Sequence, residues 1–171
     1  LKKLIAGLFG MLFALTMLCS CREASRSGFF SYQDTLSETV IFVESDKGEY
    51  RIRLTFEDGD DGRECKKAEY LSPKEISGLV FRKKGDEITA EYNGLNVTAA
   101  HFDKEEIFAV SELFFLESAD ITHIRSRNGN SIADGNSGEL LWTVITDKNG
   151  TPLEIRSSGK LNCTVKIESL K

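Results

Sequence analysis

Four cysteines, two histidines and scattered serines are the side chains of this 171-residue chain that could do covalent or metal chemistry. Cys19 and Cys21 follow a charge-free apolar stretch, residues 4–18, that is itself preceded by Lys2 and Lys3. A thiol in that setting can take a thioether-linked diacylglycerol, each buried methylene adding about 0.8 kcal/mol of membrane affinity. The order Leu18-Cys19-Ser20-Cys21 fits a lipobox, with an apolar residue three before the modified cysteine and a small one directly before it. Cys21 meets that pattern; Cys19, preceded by the bulky Leu18, does not. Basic, apolar and small segments in this order form a secretory signal. The stretch is short of the roughly 20 apolar residues of a membrane-spanning helix, and Arg22 and Glu23 follow at once. The expectation is a signal peptide over 1–20, a lipidated Cys21 with a flexible tether over 21–34, and one domain over 35–171. Such a chain sits at the extracytoplasmic face of a bacterial cell membrane, held there by its lipid.

The other reactive residues form no catalytic or metal-binding set. His101 and His123 lack second ligands at a metal spacing. In Asp58-Gly59-Asp60-Asp61-Gly62 the glycine stands at loop position five, whereas a calcium-binding EF-hand needs it at about position six. That run reads as a solvated hairpin loop. Ser137 lies in Gly135-Asn136-Ser137-Gly138, not in a Gly-x-Ser-x-Gly elbow, and reads as a loop serine. No glycine-rich phosphate loop precedes a helix. Neither enzymatic activity nor a cofactor is expected. Cys65 and Cys163 would meet oxidising surroundings that permit a disulfide, although strand alternation groups Cys65 with Lys67 and Glu69 and Cys163 with Val165 and Ile167. A formal net charge of −5 disfavours nucleic acid and anionic headgroups as partners.

The elements that carry these residues are mainly strands. Tyr50, Ile52, Leu54 and Phe56 alternate with Arg51, Arg53, Thr55 and Glu57, which places apolar and polar sets on opposite faces. Leu161, Cys163, Val165 and Ile167 repeat the pattern at the far end. Shorter strand-like runs cover 40–44, 65–71, 79–82, 88–92, 95–99, 121–125, 140–146 and 153–157. Lys47-Gly48, Lys84-Gly85, Asn93-Gly94, Asn149-Gly150 and Ser158-Gly159 supply positive-φ residues for tight turns, so an antiparallel meander is expected. Residues 103–117 lack Gly and Pro, begin with Asp103 as N-cap, and carry Ile107, Val110 and Phe114 at helical spacing. A short helical turn or a simple loop fits Ser72-Pro73-Lys74-Glu75. Phe29 and Phe30 are expected to pack on the domain edge.

The run Glu69-Tyr70-Leu71-Ser72-Pro73, then Ile76, Gly78-Leu79-Val80-Phe81, Gly85-Asp86 and Tyr92-Asn93-Gly94-Leu95, resembles small Gram-positive lipoproteins related to the LolA and LolB carriers. That resemblance, which extends to LppX-like proteins, implies an α+β fold in which a strongly curved antiparallel sheet forms a half-barrel around helices. It further implies an apolar cup. By their own apolar or aromatic character Phe81, Ile107, Phe108, Val110, Leu113, Phe114, Phe115 and Trp142, with Tyr70, are the residues that could line it or simply fill the core. Two functions stay open. The cup binds a lipid or other hydrophobic molecule for carriage or sensing, or it is filled by its own side chains and the domain is an interaction module for another envelope protein.

Overall fold

The structure, a computed structural model, describes residues 29–59, 62–85, 87–98 and 104–171, with side chains from residue 108 in the helix that starts at Lys104. The lipobox residues Leu18, Cys19 and Ser20, the lipidation position Cys21, the rest of 1–28, Asp60, Asp61, His101, Asp103 and the Ile107 side chain lie outside the described residues.

The expected alternation produces strands β1 (Glu38–Ser45), β2 (Gly48–Gly59), β3 (Gly62–Ser72), β4 (Val80–Lys84), β5 (Glu87–Tyr92) and β6 (Leu95–Thr98). After helix α1 (Lys104–Glu112) come β7 (Ile121–Arg127), β8 (Asn130–Ser137), β9 (Leu140–Thr146), β10 (Pro152–Gly159) and β11 (Cys163–Leu170). All eleven join one open, antiparallel, curved sheet in the order β6-β5-β4-β3-β2-β1-β11-β10-β9-β8-β7. Tight turns follow the glycines, with Gly48 at φ +135°, Gly94 at +79° and Gly159 at +95°, conformations that residues with a Cβ resist. The meander therefore forms as expected, in two halves joined where β1 pairs with β11.

Register lines the inward-facing residues up in rows. Ala133, Val144, Ile155, Val165, Val43 and Tyr50 oppose one another directly across β8, β9, β10, β11, β1 and β2. The next row on the same face reads Gly135, Trp142, Ser157, Cys163, Ser45 and Gly48. Apart from Trp142 these residues are small.

Several expectations need correcting. Residues 29–34 are not tether: Phe29, Phe30 and Tyr32 are buried and Ser31–Asp34 form a 3₁₀ turn, so the packed domain begins no later than Phe29 rather than at residue 35. The helix ends at Glu112, not at 117. Leu113, Phe114 and Phe115 bond back three residues to Val110, Ser111 and Glu112, a tightening that lets both Leu113 and Phe114 turn inward. Strand β8 was not anticipated, because Ser131, Asp134, Gly135 and Asn136 have low strand preference. Ser137 is its last residue rather than part of a loop. The Ser72-Pro73 segment is a series of turns with a cis peptide at that bond.

Cys65 is buried, contrary to its alternation with Lys67 and Glu69. Thr55 opposes Lys67 while Phe56 opposes Cys65, so Lys66 is an extra residue that shifts the phase of β3. Both cysteines are free. Cys163 opposes Ser45, which opposes Gly48, whereas Cys65 opposes Phe56. The two levels on β2 are separated by about 27 Å at 3.4 Å per residue, far beyond the roughly 7 Å that a disulfide spans between Cα atoms.

Helix α1 packs against β3. Phe114 and Phe115 both contact the Phe56 ring, at centroid distances of 5.9 and 5.4 Å. Among the described residues the buried apolar side chains, Val40 apart, form one cluster whose first member is Phe29, so a chain starting at Ser25 retains every described member of it. Phe114→Ala removes a fully buried ring from it and should destabilise the domain by about 3–5 kcal/mol in urea unfolding. A change below about 1 kcal/mol would show that the segment after α1 is not part of the core.

Candidate functional site

Among the described residues two hollows stand out, an outer one over the charged face and an inner one over the buried rows, with Ser45, Asp46, Asn162 and Cys163 bordering both. The outer one, about 830 Å³, lies over Glu44, Asp134, Thr143, Arg156 and Thr164. Its charged groups are largely engaged: Asp134 pairs with Arg125 and accepts from Thr143 Oγ1 at 2.7 Å, and Glu44 pairs with Lys166 at 2.7 Å. Arg156 pairs with Glu154.

The inner hollow holds about 740 Å³ and has apolar walls. One wall is an aromatic ladder across three neighbouring strands, with Tyr50 and Tyr70 edge to face at 5.9 Å and Tyr70 and Phe81 at 6.0 Å. Val43, Ile52, Ile76 and Leu79 extend it, Ala109 and Val110 of α1 contribute from the helix, and Leu140 and Leu161 close the far side. Ser45 and Cys163, both from the small-residue row, also line it. Short side chains there leave volume that longer ones would fill. Asp46, Lys47, Glu112, Lys160 and Asn162 add a polar fringe of both charge signs.

Burial, and then proximity to Tyr50, pushes the Tyr70 phenol up from its ordinary value, and burial does the same for the Cys163 thiol against a weaker opposing bond from Ser157. Tyr50 Oη donates to the Lys47 carbonyl at 2.9 Å, which fixes the ring beside the fringe. Cys65 lies elsewhere, its thiol pushed up to about 11 mainly by burial.

Of the residues the sequence proposed for the cup, Phe81 and Val110 line this cavity. Phe108, Leu113 and Phe114 fill the core, and the half-buried Phe115 stacks on Phe56. Trp142 packs under Phe30 at 5.8 Å, and its Nε1 donates to Ser137 Oγ at 3.3 Å. Ser137 in turn bonds Asp120. Tyr70, whose ring the sequence also offered for such a cavity, lines it as well. The missed residues include Val43, Tyr50, Ile52, Ile76, Leu79, Ala109, Leu140 and Leu161. The motif run containing Ile76 and Leu79 was a signal for two of them, while the others meet only through the fold.

No protein-family model and no curated protein matches this chain. Solved structures do. An uncharacterized conserved protein from Thermus thermophilus is 10% identical, covers 86% of this chain and 86% of its own, and superposes with a TM-score of 0.46. LprF from Mycobacterium bovis is 10% identical over 85% of this chain and 90% of its own, TM-score 0.46. The lipoprotein LppX from Mycobacterium tuberculosis is 11% identical over 84% of this chain and 95% of its own, TM-score 0.42.

Gly135 sits beneath the Trp142 indole, where an added Cβ would lie 2.0 Å from Cζ2. Gly135→Ala should therefore destabilise the domain by about 1–3 kcal/mol, and adding Trp142→Leu should recover part of that loss. Equal stability of Gly135→Ala and the parent in urea would contradict this packing.

Proposed function

We propose that the protein binds a lipid or similar hydrophobic molecule in the inner cavity while tethered at the extracytoplasmic face of a membrane through Cys21, for carriage or sensing and without catalysis. The observation that carries this reading is the 740 Å³ space bounded by the Tyr50-Tyr70-Phe81 ladder and by Ala109 and Val110. Ligand sites are concave, largely apolar spaces of about 300–1,000 Å³ with a few polar groups. The interior is thus self-filled around Phe56 and Phe114 and open at the Tyr50 end. Anchoring rests on the Leu18-Cys19-Ser20-Cys21 motif. From Cys21 to Phe29 the backbone reaches at most about 28 Å, which keeps the domain beside the bilayer.

A second reading, docking to an envelope protein, is favoured by one observation. Edge strand β6 carries Leu95 and Val97 at 72% and 55% exposure, and an edge with free backbone groups accepts an added strand.

The first reading predicts that the domain from Ser25 onward, expressed in bacteria and purified without detergent, carries a lipid in native mass spectrometry. A bare mass that persists after exposure to lipid vesicles would favour the second. In the whole protein, Cys21→Ala should move the chain from the membrane to the soluble fraction; retention at the membrane would contradict the lipid anchor.

A further inference from the structure

We infer that the inner cavity takes a single acyl chain with a compact polar head and excludes lipids with two or more chains. This rests on the hydrophobic-ligand reading and narrows it to a substrate class.

Volume sets the first limit. At about 740 Å³ the hollow falls within the roughly 300–1,000 Å³ typical of sites for a single small molecule. One long chain and a small head use that space, whereas two long chains exceed it.

The cavity also has little room to grow. Along β2, the wall residue Ile52 is followed on the same face by Leu54 and Phe56, both buried, and Phe56 is capped by Phe114 and Phe115. Along β9, the wall residue Leu140 is followed on that face by Trp142, which lies over Gly135 and under Phe30. Admitting a second chain requires displacing one of these aromatic clusters, each part of the core on which the fold depends.

Shape points the same way. From Cys163 on β11 to Phe81 on β4 the lining crosses four strand intervals, about 19 Å at 4.8 Å each. The space is elongated and mostly apolar, bordered by Asp46, Lys47, Lys160 and Asn162 at the Ser45–Gly48 and 160–162 turns and by Glu112 at the end of α1. A tail lies along the ladder and its head stays at that fringe. Both signs of charge there suit a small head that hydrogen-bonds rather than a large polyanionic one.

The test uses the domain from Ser25 onward, after a cooperative urea transition has verified that it is folded. It is incubated with phosphatidylcholine vesicles that also contain palmitate, a one-chain lysophosphatidylglycerol and a two-chain phosphatidylglycerol, separated by flotation, and read by native mass spectrometry. The expected result is adducts of the one-chain species at least about tenfold above any two-chain adduct, a difference of about 1.4 kcal/mol in binding. Two-chain adducts at equal or higher level overturn this inference and leave the hydrophobic-ligand reading standing. No adduct of any lipid overturns both. Ala109→Phe projects a ring into the cavity and should abolish the one-chain adduct, and Ile76→Trp, in the exposed turns after β3, serves if that variant fails to fold. Unchanged binding by a folded variant places the ligand elsewhere and also overturns the inference.

Discussion

The pairing of β1 with β11 governs the architecture. It brings the first and last strands together at the middle of the sheet, so each half of the chain winds outward by hairpins to an opposite edge. The connection from β6 to β7 must then travel from one edge of an eleven-stranded sheet to the other. Helix α1 and the residues after it lie on that route, which is how Phe108, Leu113, Phe114 and Leu116 come to share one core with strands of both halves. Burial of those rings against the inner face supplies the apolar burial that a single sheet face lacks. Thr39, fully buried beside the β1–β11 irregularity, donates to the Ser169 carbonyl at 2.7 Å and so leaves no unsatisfied hydroxyl there.

Residue size then decides where the inner face is full and where it is empty. Phe56 with Phe114, and Phe30 with Trp142, close two regions. Between the Tyr50 ladder and Leu161, the opposed positions are Ser45, Gly48, Cys163 and Ser157, and no large side chain rises from them. A void of this kind forfeits dispersion contacts along its walls, and a ligand that fills it stabilises the folded state through its binding. Outside, Glu64 is held below the usual carboxylate range by bonds from Lys66 and Lys83, and Glu69 mainly by Lys67 with Arg53 alongside. These charged groups occupy the opposite face, which leaves the inner wall apolar.

Much of the fold was legible because it is written in local pattern. The period-two alternation of 50–56 and of 161–167, together with the glycine turns, announced the strands and their sequential pairing. The helix start was visible in the spacing of Ile107, Val110 and Phe114, but its end was not. Four consecutive apolar residues, 113–116, extend a helical pattern on paper although they cannot all face one side of a helix. Strand β8 carried little hydrophobic signal beyond Ile132, because Gly135 and Ala133 are small to fit beneath Trp142 and beside Val144. Cys65 was misplaced because the extra residue Lys66 has no signature of its own. The cavity was harder still. Tyr70, Phe81 and Val110 could be named from their apolar or aromatic character, but the wall exists only through the register that sets Tyr50 beside Tyr70 and brings Leu140 and Leu161 to the same hollow.

The central claim is that this hollow is a ligand site, and methyl-resolved NMR of the domain titrated with palmitate tests it most directly. The account predicts shifts concentrated on Val43, Ile52, Ile76, Leu79, Val110, Leu140 and Leu161, with Ile88, Val144 and Ile155 unmoved. Shifts confined to the exposed Leu95 and Val97, or no shifts at saturating ligand, would contradict it.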